Sequence, residues 1–133
     1  MTLQTSPKLR RPRLRQRRVL VVDDNREAAD TLAAMLVFLG YEVRVAYDSE
    51  SGLDEALQFE PDVAVWDISL PGVNGYEAAR RLRASHEGSR IVLIALTGHG
   101  TAEDRRAALA AGFDRHMKKP VDVNALINDI GCA

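Results

Sequence analysis

The stretch VWDISLPGVNGYE, residues 65–77, carries the end of a strand, a turn and the start of a helix in sequence. It closes the apolar run DVAVW (62–66) on a single carboxylate, Asp67. Pro71, Gly72 and Gly75 then punctuate the chain as turn residues do. Asn74 with Glu77 three residues on has the pattern of a capping box opening a helix. An aspartate in such a turn is common in itself, so its meaning depends on what the rest of the chain brings to the same place.

The same strand-turn-helix unit recurs along the chain. RVLVV (18–22), EVRVA (42–46) and IVLIAL (91–96) are short runs rich in β-branched residues, and FDRHM (113–117) is a weaker fifth. Three of the four stronger runs are nearly continuously apolar, as parallel strands covered on both faces must be. Helical spacing lies between them. Ala28, Leu32, Met35, Leu36 and Leu39 mark a helix over 26–39, stopped by Gly40. Leu53, Ala56 and Leu57 mark a second. The third opens at Asn74, and the fourth at Thr101 with Asp104, ending at Gly112. Val123, Leu126, Ile127 and Ile130 give a last one after Pro120, ending three residues before the C-terminus, so no output domain is expected to follow it here. The order predicts an α/β fold, βα five times over, with a five-stranded parallel sheet doubly wound by helices on both faces. No internal repeat or low-complexity segment interrupts it.

At 133 residues the chain is long enough for one domain and a tail. The net charge of −1 hides a segregation. Residues 1–18 hold Lys8, Arg10, Arg11, Arg13, Arg15, Arg17 and Arg18 and no acid, while the other 115 residues hold 11 basic and 19 acidic side chains, a net −8. Residues 1–17 lack apolar periodicity and carry Pro7 and Pro12, so we expect a disordered basic arm there and the domain over 18–133. VLVV before Asp23 and Asp24 is too short for a secretion signal, and no apolar run approaches the length of a membrane span. The lone Cys132 excludes an internal disulfide framework and a cysteine-based zinc site, and fits a reducing cytoplasm.

In a doubly wound sheet, ligands bind at the carboxyl ends of the strands. Those ends carry Asp23 and Asp24, then Asp67, then Thr97 and Gly98, then Lys119 and Pro120. Carboxylates brought together repel unless a cation sits among them. Oxygen-only ligands at an open site suit Mg²⁺, which keeps waters and binds phosphate oxygens. Thr97 and Lys119 are donors fit for an anion, and a carboxylate can itself accept phosphorus as an aspartyl phosphate. Lys118 competes with Lys119 for the inward position, but strand neighbours face opposite ways, and the Lys-Pro step selects Lys119.

VLVVDDN, WDISLPGVNGYE, ALTG and KKPVD, in that order, resemble the response-regulator receiver domain, the phospho-acceptor module of two-component signalling. The resemblance covers residues 18–130. It implies a flavodoxin-like sheet with strand order 2-1-3-4-5. It implies that Asp67 is phosphorylated by a sensor histidine kinase or a histidine phosphotransfer protein, with Mg²⁺. Such a domain is not an enzyme on other molecules, although it catalyses its own phosphorylation and dephosphorylation. By this resemblance Asp24 binds the metal directly, Asp23 holds it mainly through water, and the Ser69 backbone carbonyl is a further protein ligand. Thr97 is then the switch hydroxyl and Lys119 the phosphate contact, followed by a cis Pro120. The surface of the fourth helix, fifth strand and fifth helix would carry the signal to a downstream protein. The alanine-rich AALAAG (107–112) would let the fourth helix shift cheaply. Ser69 and His99 stand where the family tunes hydrolysis of its phosphate, and a solvated loop role remains open for both. Gly98 leaves the phosphate approach open. One departure matters: where the family often has Tyr or Phe, this chain has His116, as in stand-alone and hybrid-kinase receivers.

Rival readings meet obstacles in the residues. A haloacid-dehalogenase-like phosphatase needs a second Asp two after the first, where Ser69 stands, and a nucleotide-binding Rossmann domain needs G-x-G-x-x-G where DDNREA stands. Trp66 is expected in the core, facing away from Asp67. The arm leaves several possibilities open: a solubilising extension, contact with an acidic face of its own domain, or binding of nucleic acid or anionic lipid by charge, without aromatics to stack on bases. A phosphorelay intermediate, or a receiver whose arm binds nucleic acid, is the alternative function.

Overall fold

The computed structural model describes residues 16–70 and 72–133. The expected arm therefore lies outside the described residues except for Gln16 and Arg17, and so does Pro71. The elements follow as β1 (Arg18–Val22), α1 (Arg26–Phe38), β2 (Glu42–Ala46), α2 (Ser49–Phe59) and β3 (Val63–Asp67). Next come α3 (Gly75–Ala84), a 3-10 turn (Glu87–Arg90), β4 (Val92–Thr97), α4 (Ala102–Ala111), β5 (Arg115–Lys118) and α5 (Val123–Cys132). All strand pairs are parallel, and the order is β2-β1-β3-β4-β5.

The sheet is buried from both sides, as the apolar runs require. On one face Leu20, Val22, Ala64, Trp66, Leu93 and Ala95 meet Ala56 of α2, Ala78, Ala79 and Leu82 of α3, and Ala108 and Ala111 of α4. On the other, Val19, Val21, Val63, Val65, Ile94 and Leu96 meet Ala29, Leu32 and Leu36 of α1 and Leu126 and Ile130 of α5. Trp66 is fully buried as expected, with its indole N–H donating to Ser49 Oγ at 3.0 Å. Each α-helix opens on a side-chain cap, in turn Asn25, Asp48, Asn74, Thr101 and Asp122. These caps satisfy backbone donors that would otherwise lie exposed around the carboxyl edge of the sheet. Gly40 and Gly112 end α1 and α4 with positive φ, where a side chain would be strained.

Several expectations shift. Strands β3 and β4 each start and end one residue later than the apolar runs suggested, because the ladder pairs Asp67 with Leu96 and Thr97 with Lys118. Asp67 and Thr97 are thus the last residues of their strands, held by the sheet itself. FDRHM is not a strand from its first residue: Phe113 N–H bonds back to the Ala108 carbonyl and the Phe113 ring joins the core, so β5 begins at Arg115. The Asn74 cap forms, but Glu77 turns to Arg80 and Arg81 instead of closing the box; the box at Thr101 and Asp104 does close. The buried stripe of α1 runs through Ala29, Leu32 and Leu36, leaving Ala28, Met35 and Leu39 exposed. In α2 the inward apolar side chain near the end is Phe59 rather than Leu57. Helix α5 continues to Cys132, past the expected stop at Ile130.

Candidate functional site

Asp67 stands at the tip of β3, 2% exposed. Its two carboxylate oxygens have different partners. Lys119 Nζ donates to Oδ2 at 2.7 Å, while Oδ1 accepts both the Ser69 N–H (3.0 Å) and the Ser69 hydroxyl (3.1 Å). Lys119 follows β5, and its own N–H bonds the Thr97 carbonyl at 2.7 Å, which ties the base of the side chain to the end of β4. The Lys119–Pro120 peptide bond is cis. Lys118 points elsewhere, its aliphatic stem lying against Gly100.

Asp23 and Asp24 follow β1 directly. Asp23 is 6% exposed, Asp24 exposed. One oxygen from each of Asp23, Asp24 and Asp67 falls within a cluster no wider than 4.8 Å. Burial pushes the Asp23 carboxyl above the ordinary aspartate range, opposed by the Asn25 N–H, and the charge of Asp67 pushes it the same way as burial. Three carboxylates against one ammonium leave a local excess of about two negative charges when all are ionised. That excess, the all-oxygen donor set and the exposed Asp24 at the mouth fit a hard divalent cation such as Mg²⁺.

The fold therefore brings Asp23, Asp24, Asp67, Ser69 and Lys119 together, as the sequence suggested. Beyond the backbone carbonyl and the position near the phosphate expected of Ser69, its hydroxyl reaches Asp67. Serine two residues after an aspartate in a turn is a recognisable local signal for such a bond. Thr97 lies at the same edge, 3% exposed, but its hydroxyl meets His116: Thr97 Oγ1 and His116 Nε2 are 3.0 Å apart. A Cβ at Gly98 would meet nothing within 4 Å, and His99 is exposed, so the approach over β4 is open. Gly75, at the start of α3, abuts the backbone of Ile68 and Asp67, setting how closely the loop after β3 folds back.

Comparisons with known proteins point to one family. The family model described as response regulator receiver domain matches residues 19–131. The response regulator MprA of Mycobacterium avium (strain 104) is 36% identical over 110 residues, which cover 83% of this chain and 47% of that protein. The chain thus spans about half the length of the curated relatives it matches. Among solved structures, a CheY-like response regulator receiver domain protein from Methanospirillum hungatei JF-1 superposes with a TM-score of 0.80 at 31% identity, over 88% of this chain and 92% of that one. The receiver domain of the sensor histidine kinase PA1611 from Pseudomonas aeruginosa PAO1 does so with a TM-score of 0.80 at 31% identity, over 89% and 97%; in that structure a magnesium ion is coordinated in the active site cleft.

Proposed function

Because the chain belongs to the response regulator receiver domain family of two-component systems, we propose that Asp67 is its phospho-acceptor and that residues 18–133 act as a Mg²⁺-dependent switch. The observation that carries this reading is the Lys119–Asp67 ion pair inside a cluster of three carboxylates at the strand ends. A phosphohistidine on a sensor kinase or a histidine phosphotransfer protein would be the donor. An Asp67 oxygen attacks phosphorus, the P–N bond breaks, and the imidazole retains the electron pair and takes a proton. Asp67 is nearly fully desolvated and held at a strand end, so its nucleophilic oxygen is positioned before the donor arrives. Lys119 stays on the carboxylate as charge develops and then faces the phosphoryl oxygens. Asp23, Asp24, Asp67 and the Ser69 carbonyl would hold Mg²⁺, which when bound supplies the neutralisation that lets an anion approach three carboxylates.

The readout runs through Thr97 toward α4, β5 and α5, where a downstream protein would dock. Helix α4 buries only Ala108 and Ala111 and leaves Leu109 half exposed, which suits an element that shifts at small cost. Action in the cytoplasm fits the reading; among the described residues no helix is long and apolar enough to cross a membrane. The test is incubation of the full chain with Mg²⁺ and acetyl phosphate, followed by intact mass. One phosphate adduct is expected on the wild type and none on Asp67→Ala. No adduct on the wild type, or an undiminished one on the variant, sinks the assignment.

A further inference from the structure

Side chains alternate across the sheet, and that alternation separates Thr97 from Asp67. Asp67 continues the row of Val63 and Val65, which faces α1 and α5. Thr97 continues the row of Ala95, which faces α2, α3 and α4. His116 pairs with Ala95 in the β4–β5 ladder and so lies on the Thr97 side, while its neighbour Met117 packs on the other. The imidazole is half-buried, and the hydroxyl it meets is almost wholly so. A phenyl ring at position 116 could fill this space but could not bond Thr97. A histidine bonds it through Nε2 at 3.0 Å.

A threonine hydroxyl has one proton to donate. If it donates to His116 it is not available to an oxygen on Asp67. Resting on the phospho-acceptor reading above, we propose that His116 is a positioning residue: its Nε2 accepts the Thr97 hydroxyl proton and competes for it with the phosphoryl group on Asp67. Phosphorylation must then withdraw Thr97 from β5, and the freed imidazole becomes the change that β5 and α4 report. A hydrogen bond that is made or broken thereby stands where the family often has a Tyr or Phe ring. The reverse arrangement, Nε2–H donating to Thr97 Oγ1, would leave the hydroxyl proton for the phosphate and make His116 a helper instead of a competitor.

Two measurements on the full chain test this. The first is the ¹⁵N spectrum of the His116 ring without ligand; a proton on Nδ1 alone is expected, and any proton on Nε2 overturns the proposal. The second is affinity for beryllium trifluoride, a phosphoryl mimic, with Mg²⁺. His116→Phe should tighten it by roughly three- to tenfold, about what one hydrogen bond is worth. His116→Gln, whose amide can reach where Nε2 stands, should stay within about twofold of wild type. In a Thr97→Ala background, His116→Phe should change nothing, because the competed proton is gone. Equal effects of Phe and Gln, weaker binding in Phe, or an undiminished effect without Thr97 would each overturn the proposal. A wild type that takes up neither phosphate nor the mimic overturns the Asp67 reading and this one with it; the ring spectrum, which needs no ligand, separates that case from a failure of His116 alone.

Discussion

Lys119 Nζ lies 2.7 Å from Asp67 Oδ2, joining residues 52 positions apart across the ends of β3 and β5. The Asp67 side chain is buried and the Lys119 side chain one-third exposed, so the pair is asymmetric. Removing the cation leaves a buried charge beside Asp23, whereas removing Asp67 leaves a lysine that can reach water. Lys119→Met is therefore expected to slow formation of the phosphate adduct at least tenfold. It should also lower the thermal midpoint without metal by a few degrees, with added Mg²⁺ restoring most of that loss. Intact mass against time and thermal unfolding with and without chelator read the two effects. An adduct formed at the wild-type rate would remove Lys119 from the site.

Asp23 carries a cost that a metal would relieve. Burial, the largest cause, raises its carboxyl above 3.8. A carboxyl whose pKa is raised on folding binds its proton more readily folded than unfolded, so its ionisation opposes folding. The cost is complete above the raised value and fades as pH falls to 3.8. Asp23→Asn, which still offers an oxygen to the Asn25 N–H, should unfold at a higher temperature than wild type at pH 7 in chelator. That gap should close below about pH 4. Mg²⁺ should stabilise wild type and do little for the variant. Identical midpoints at pH 7 in chelator would show that Asp23 is not penalised.

Arg83 ties the lower ends of the elements together. Its guanidinium donates to the carbonyls of Gly112 (2.8 Å), Gly88 (3.3 Å), Ser89 (3.2 Å) and Ile91 (2.7 Å), and pairs with Asp114 at 2.8 Å. Asp114 in turn accepts the Leu93 N–H. Arg83→Ala should cost about 2–4 kcal/mol, because several acceptors lose their partner at once. Arg83→Lys should recover little of it, since an ammonium lacks the planar fork. Urea unfolding of the three proteins decides, and a lysine variant as stable as wild type would reduce Arg83 to a surface charge.

A Cβ at Gly75 would stand 2.8 Å from Ile68 Cα and 3.1 Å from the Asp67 carbonyl oxygen. Alanine is the better helix former, but the obstruction is backbone and cannot turn aside. Gly75→Ala is expected to cost about 1–3 kcal/mol and to slow phosphate uptake severalfold by displacing the loop that presents Ser69. Gly98→Ala, where a Cβ meets nothing within 4 Å, is the control and should keep wild-type stability. If both alanines behave alike, the contact at Gly75 is not limiting.

The strands, the helix caps and the acidic and basic groups at the strand ends could be read from the sequence because each rests on local rules. Apolar runs of parallel strands, a capping residue before a helix and glycine after one need only neighbours a few positions away. The edges of β3 and β4 lie one residue beyond the apolar runs because a strand ends where its partner stops pairing, not where hydrophobicity drops. The buried stripe of α1 departs from the apolar spacing for a related reason. Met35, Leu36 and Leu39 are equally apolar in sequence, but only one side of the helix meets the sheet. Met35 and Leu39 instead line a surface groove with Phe38 and Ile127. Phe38 stands 89% exposed.

For this protein the sequence alone determined the doubly wound α/β class and which residue types arrive at the carboxyl edge. Periodicity and turn chemistry carry that information within each βα unit. The tertiary structure decided which of those groups touch: Lys119 on one oxygen of Asp67, Ser69 on the other, and Thr97 on His116. Those contacts depend on strand register and on the face from which each side chain leaves the sheet, and both are properties of paired strands rather than of any one of them.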